Sequence, residues 1–164
     1  MTFSAIVDVL TDQFGTDVFT TNSQAIQPFL TIPTERLVDM CQFLRDDDRL
    51  FFDLLACVTA IDNGPDANTM EVIYNLTSIP YEHDLMVKVM VPRSAVGSKL
   101  PSVASLSHLW RTADWHEREA YDLVGIWFEN HPDLRRILMP ADWIGHPLRR
   151  DYQEESQYHG IQTK

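Results

Sequence analysis

Residues 54–91, LLACVTAIDNGPDANTMEVIYNLTSIPYEHDLMVKVMV, settle the fold class. Short runs of Val, Ile, Thr and aromatic residues predict three strands, roughly Leu55–Ile61, Met70–Leu76 and Leu85–Val91, with turn chemistry at Asp62-Asn63-Gly64-Pro65-Asp66 after the first. In the third, Leu85, Val87, Val89 and Val91 alternate with Met86, Lys88 and Met90, so one face is aliphatic and the other carries the lysine. Consecutive short strands joined by turns pair antiparallel. The expectation is an α+β fold: a mostly antiparallel sheet of about four strands layered with helices, followed by an irregular arginine-rich C-terminal segment.

Toward the N-terminus, Phe29-Leu30-Thr31-Ile32 supplies the fourth strand and Pro33 closes it. Thr34 then opens a helix with Leu37, Met40, Cys41 and Leu44 on one face. Earlier still, Ile6, Val7, Leu10 and Phe14 mark an amphipathic helix over Phe3–Phe14 that Gly15 can end. Toward the C-terminus, Pro92 to Pro101 reads as a loop. Ser102 is expected to cap a helical stretch that breaks near Thr112 and continues to Val124, where Gly125 terminates it. Residues 1–151 then form one domain and 152–164 a polar tail with no period.

The chain carries 24 acidic and 13 basic residues, a formal net charge of −11, which disfavours nonspecific binding to nucleic acid or anionic lipid. The longest apolar run, Leu54 to Ile61 with one threonine inside it, is too short to span a bilayer, and the N-terminus lacks the pattern of an export signal. Cys41 and Cys57 lie in apolar segments outside any CxxC and read as buried free thiols of a reducing cytoplasm, although a single disulfide between them stays open. Six glycines, at 15, 64, 97, 125, 145 and 160, cannot assemble a GxGxxG or GxxxxGK[ST] loop, and two lone cysteines cannot hold an iron–sulfur cluster. No redox cofactor is expected in this chain.

The chemistry concentrates in Trp115–Asp151, WHEREAYDLVGIWFENHPDLRRILMPADWIGHPLRRD. On a helix whose inward face is marked by Ala113, Ala120, Leu123 and Val124, Glu117 falls on or beside that face, with Glu119 and Asp122 flanking it and Arg118 within i+4 reach of Asp122. A buried carboxylate needs a partner, and the basic residues here are all arginine: Arg111, Arg118, Arg135, Arg136, Arg149 and Arg150. Buried or interfacial ion pairs and solvated surface pairs are both open readings. His116-Glu117 starts like HExxH, but residue 120 is alanine, so that metal motif fails. His131-Pro132 and His146-Pro147 fit histidines that hold loops better than metal ligands, and Glu117 with Glu119 lacks the nucleophile or facing geometry of a hydrolase pair. Trp127, Phe128 and Trp143 among Arg135, Arg136, Arg149 and Arg150 make the aromatic-plus-arginine mixture that interfaces favour.

Glu117-Arg118-Glu119, Asp122, Gly125-Ile126, Phe128, His131-Pro132, Leu134, Arg136-Ile137-Leu138, Asp142-Trp143, Gly145-His146-Pro147-Leu148-Arg149 and Asp151 together resemble the 30 kDa subunit family of respiratory complex I, the C-type subunits of NADH-quinone oxidoreductase. Weaker similarity runs back through Phe52-Asp53-Leu54, Asp62, Val72-Ile73-Tyr74 and Pro101-Ser102-Val103, and the first fifty residues are not diagnostic. Val124 stands where the family usually has an aromatic, and Gln153 where proline is common. The resemblance implies a scaffold subunit without flavin, cluster or quinone site of its own. Its partner would be the 49 kDa-type (D-type) subunit, with other hydrophilic-arm subunits beside it, on the cytoplasmic face of the bacterial inner membrane. The assembled enzyme would use NADH, FMN, iron–sulfur clusters and quinone and would pump protons. Pro132, Pro140 and Pro147 interrupt any helix or central strand, so Gly125–Asp151 is expected to lie over the surface, and the resemblance implies that it and the tail after it dock the 49 kDa-type partner. An equivalent subunit of a membrane-bound hydrogenase or a cofactor F420 dehydrogenase is the alternative, separated by whether flavin and NADH-binding subunits are encoded beside it. A free-standing hydrolase would turn over alone, and a generic acidic adaptor would not co-purify with respiratory subunits.

Overall fold

The computed structural model describes residues 1–95 and 97–163. Helix α1 (Phe3–Phe14) starts where Thr2 Oγ1 accepts from the Ala5 amide at 3.3 Å and stops at Gly15. Strands β1 (Thr20–Asn22) and β2 (Phe29–Thr31) follow, then a 3-10 turn over Thr34–Arg36 that runs into α2 (Leu37–Asp46). Strands β3 (Leu54–Asp62), β4 (Thr69–Ser78) and β5 (His83–Pro92) form an antiparallel meander. The sheet order is β1-β2-β5-β4-β3, with β2 parallel to β5 and every other pair antiparallel. The expected α+β class and mainly antiparallel sheet are present. The fifth strand, β1, had no sequence signal because Thr20, Thr21 and Asn22 are all polar and exposed.

The period-two pattern sorts the sheet into two faces. Val58, Met70, Val72, Tyr74, Leu76, Leu85, Val87, Val89 and Val91 are buried with Ile6, Leu10, Leu37, Met40, Cys41 and Leu44 in one core. On the other face Lys88 pairs with Glu71 at 3.0 Å and lies 4.3 Å from the centre of the Phe29 ring, so the long side chain covers apolar surface while its charge is compensated. Both cysteines are free; burial pushes the Cys41 thiol far up, which makes it an inert core residue, whereas Cys57, expected to be buried, is only partly covered.

One expected element is wrong. Ser102 begins a strand, β6 (Ser102–Ala104), and not a helix, and β6 runs parallel to β7 (Trp127–Glu129) with Val103 and Phe128 buried face to face in register. Helix α3 begins only at Ala113 and ends at Val124. Its start is fixed by long-range bonds: Trp110 Nε1 donates to the Phe52 carbonyl at 3.0 Å, and Thr112 Oγ1 donates to the Leu55 carbonyl at 2.8 Å. Its end is local, since Gly125 sits at φ 77 and returns its N–H to Ala120 and Tyr121, both at 3.1 Å. The polar tail closes as a small hairpin of β8 (Gln157–Tyr158) and β9 (Ile161–Gln162), with His159 and Gly160 both at positive φ as a two-residue turn requires. The Tyr158 ring lies 5.0 Å from Trp143, tying the hairpin back to the chain. Among the described residues no helix is long and apolar enough to cross a membrane.

Candidate functional site

Helix α3 presents two buried carboxylates, and the chain after it wraps to meet them. Asp122 is fully buried. Arg136 Nη1 donates to its Oδ1 at 2.6 Å, while Oδ2 accepts the backbone N–H groups of Ile137, Leu138 and Met139 at 3.0, 2.8 and 2.8 Å. Burial raises this carboxyl, but the three amides and the guanidinium outweigh it and hold it below the usual carboxylate range. Arg136 Nη2 also donates to the Gly145 carbonyl at 2.8 Å, so one ion pair fixes two turns of the 133–149 segment. The expected pairing of Asp122 with an arginine of this segment is therefore met by Arg136.

Glu117 is different. It is fully buried, yet no arginine reaches it. Its Oε2 accepts the Ser105 hydroxyl at 2.6 Å and its Oε1 accepts the Leu106 amide at 2.7 Å. The expected arginine partner within the chain is thus corrected: the loop after β6 fills the space, and two neutral donors replace a cation. Burial, with a smaller push from Asp114, drives this carboxyl up to about 7 against the pull of the two hydrogen bonds. Glu119 is exposed, and it makes no ion pair among the described residues. Arg118 does not turn to Asp122; it donates to the Arg135 and Arg136 carbonyls at 3.2 and 3.3 Å, because Asp122 faces inward while Arg118 points along the surface.

The two histidine–proline pairs hold loops. His131, its side chain buried beside exposed Pro132, accepts the Asp133 amide on Nδ1 at 3.0 Å and donates from Nε2 to the Asp114 carbonyl at 3.0 Å, tautomers following from those partners. His146 Nδ1 bonds the Asp122 carbonyl at 2.9 Å, and Pro147 directs the chain onward so that the Leu148 amide reaches the Leu123 carbonyl at 2.8 Å. Burial, together with the nearby Arg149 and Arg136 and against the pull of the bond to Asp122, pushes His146 below its ordinary pKa. The imidazole packs against Gly125, where an added Cβ would meet it at 2.5 Å. Gly125→Ala therefore combines a left-handed φ with a steric overlap, and should cost about 2 kcal/mol in chemical denaturation. An unchanged midpoint would show that the imidazole moves aside freely.

Arg149 is buried and, among the described residues, takes no carboxylate. It donates to the Val124 carbonyl at 2.8 Å and the Gly125 carbonyl at 3.1 Å, the orphan acceptors at the C-terminal, partially negative end of α3, and to Ser94. At the end of β3, Asp62 gathers Arg93 at 2.7 and 3.1 Å and the amides of Gly64 and Arg150 at 3.0 and 2.9 Å. Burial opposes the charge there, but these donors hold the carboxyl at about 2. Arg93 Nη2 also lies 2.5 Å from Asp151, so Asp151 is tied to the sheet through an arginine that sequence reading had not singled out. Arg93, Ser94 and Ser105 lie outside the motif in sequence and had no local signal. Among the described residues Arg135 pairs only with Asp133, at the surface. Trp143 is half-buried and donates to the Tyr152 hydroxyl at 3.0 Å.

Gly125–Asp151 was expected to lie over the surface. Its first part does not: Ile126 and Phe128 are buried core residues and β7 pairs with β6. From His131 onward the chain does run outside, pinned by Asp122, Arg136, His146 and Arg149, and it leaves Leu138, Ile144 and Leu148 each at least 60% exposed. A surface cavity of about 650 Å³ opens beside Ile144, lined also by Tyr121, Arg136, His146, Arg149 and Tyr152. The arginine nitrogens here are mostly committed to structural acceptors, and Ser98, the serine that lines the cavity, donates to the Ala95 carbonyl and not to a base. Among the described residues no group of three or more His, Cys, Asp or Glu side chains could hold a metal ion.

Known proteins are similar to this chain. Residues 30–158 match the family described as respiratory-chain NADH dehydrogenase, 30 kDa subunit. The chain is 42% identical over 160 residues to the NADH-quinone oxidoreductase C-type subunit of Chloroherpeton thalassium, covering 94% of itself and 62% of that relative. It is 42% identical over 161 residues to the same subunit of Chlorobium phaeobacteroides, covering 97% and 93%, and 41% identical over 144 residues to that of Geobacter sulfurreducens, covering 87% and 85%. Among solved structures, a chain of a membrane-bound sulfane sulfur reductase, an archaeal respiratory membrane complex, superposes with a TM-score of 0.69 at 20% identity, over 92% of this chain and 85% of that one, which shows a shared fold. With the motif segment matched inside the family's bounds and relatives of this identity over most of its length, the chain belongs to the 30 kDa subunit family of the respiratory-chain NADH dehydrogenase.

Proposed function

We propose that this chain is a non-catalytic scaffold subunit in the hydrophilic arm of a proton-pumping NADH:quinone oxidoreductase, inactive when isolated, and that its C-terminal face docks the 49 kDa-type subunit. The observation that carries this is the set of exposed aliphatics, Leu138, Ile144 and Leu148, on a segment held rigid by buried polar bonds. Flexible surface loops need no such fixing, and the isolated chain gains nothing by keeping three large side chains in water, whereas a preorganised apolar patch rimmed by arginines lowers the cost of docking. NADH, FMN, iron–sulfur clusters and quinone would be held by other subunits, since Cys41 is a core residue and the motif histidines His131 and His146 are spent on loop bonds. Attachment to the cytoplasmic face of the inner membrane would come through the complex.

Ile144→Asp with Leu148→Asp tests the docking face. Both side chains are exposed, so the isolated chain should keep its melting temperature, while binding to the 49 kDa-type subunit weakens by about 2 kcal/mol or more. Retained co-purification with that subunit from native membranes would place the interface elsewhere. Arg149 is unsuitable for this purpose, because its removal would uncap α3.

A further inference from the structure

The end of the sheet opposite Asp62 carries a second apolar patch, inside an acidic ring. There the loop between α2 and β3 meets the turn between β4 and β5: Tyr81 donates its hydroxyl to the Asp48 carbonyl at 2.8 Å, and Asp53 accepts the Ile79 amide at 2.9 Å. The Phe51 ring packs edge-on to Tyr81 with centroids 6.3 Å apart. Even so, Phe51, Ile79 and Tyr81 remain 42%, 61% and 47% exposed. Phe51 sits at φ 41, a conformation that suits glycine or asparagine and strains a bulky residue. An aromatic held there half in water returns little to its own fold.

Beside Phe51 opens a cleft of about 500 Å³, walled by Leu109 and Trp110 and edged by Arg45, Asp46 and Asp53. Acid outweighs base around it, with Arg45 at the edge of the cleft and the Met1 ammonium 3.4 Å from His83 Nδ1. Arg45 and Arg49 are already paired with Asp46 and Asp47, and among the described residues no lysine or arginine pairs with Asp48, Asp53, Glu82 or Asp84. An anionic membrane or nucleic acid would be repelled by that ring, while a cationic protein segment would be steered to it.

We propose that this end of the molecule is a second docking surface, one that takes an extended basic segment of a neighbouring polypeptide, with an apolar side chain against Phe51, Ile79 and Tyr81 and a lysine or arginine entering the cleft beside Asp53. It rests on the reading of the chain as one subunit of a larger assembly, and it uses residues outside the 131–151 segment.

The test places a photoreactive phenylalanine analogue at position 79 in the complete complex purified from native membranes and maps the cross-linked peptide by mass spectrometry. The expected product is a peptide of another subunit with lysine or arginine next to apolar residues. Its yield should fall about tenfold when the same chain also carries Phe51→Gly and Asp48→Lys, and should fall as ionic strength rises. Glycine relieves the φ at position 51, and among the described residues Asp48 contributes only its carbonyl to the fold, so the isolated variant should keep its melting temperature. In an intact complex, no cross-link, a cross-link to lipid, to an acidic or uncharged segment or to a second copy of this chain, or a yield indifferent to the two substitutions would each overturn the proposal. A chain that enters no respiratory assembly at all would instead overturn the subunit reading and this surface with it.

Discussion

Asp122→Ala should be the most damaging single substitution in the motif segment, lowering the stability of the isolated chain by about 3–5 kcal/mol and its melting temperature by roughly 10 °C. The carboxylate accepts one guanidinium and three consecutive amides, and alanine leaves all of them facing a site closed to bulk water. The damage would spread, because Arg136 also anchors the Gly145 carbonyl and His146 bonds the Asp122 carbonyl. Asp122→Asn, which keeps an acceptor but loses the charge, should fall between alanine and the native chain. Urea denaturation of the three proteins at neutral pH measures this. A loss below about 1 kcal/mol for alanine, the scale of an ordinary surface ion pair, would show that the segment holds its shape without the carboxylate.

The second large effect is a pH dependence centred on Glu117. Its carboxyl lies near 7 in the folded chain, against an ordinary value of 4.5 when unfolded. Between those values the folded state binds the proton more tightly, so stability falls as pH rises across the window, by about 3 kcal/mol from 1.4 kcal/mol per pKa unit. Below 4.5 the contribution is fully present, and above 7 it is gone. Glu117→Gln keeps the shape and removes the titration. The native-minus-variant difference should therefore slope downward from pH 5 to 7 and flatten beyond, while groups common to both proteins, His146 among them, cancel. At pH 8 the glutamine chain should be the equal of the native one or the more stable. Parallel profiles throughout would mean that Glu117 is already charged when folded and that Ser105 and Leu106 suffice to hold the charge.

The local patterns were readable because each depends on neighbours in sequence. Alternation through Leu85, Val87, Val89 and Val91, the face of Leu37, Met40, Cys41 and Leu44, and the stop at Gly125 are all short-range periodicities or backbone freedoms. Ser102 shows the limit of that logic. A serine before an apolar residue suits a helix cap or a strand equally well, and the choice was made by β7, which reaches Val103 only after α3 has turned the chain back.

Sequence alone placed Glu117 on or beside the apolar face of α3, with Glu119 and Asp122 flanking it and arginines following, and left buried pairs and solvated surface pairs both open. Which acid meets which donor was left to the folded chain. Asp122 points toward the returning segment and takes Arg136 with three amides, whereas Glu117, on the same helix five residues earlier, points at the loop after β6 and finds a hydroxyl and an amide. Arg149 caps a helix and Arg93 bridges Asp62 to Asp151 for the same reason: a guanidinium binds whatever acceptors the folded backbone brings within its fork, and those acceptors come from residues more than twenty positions away.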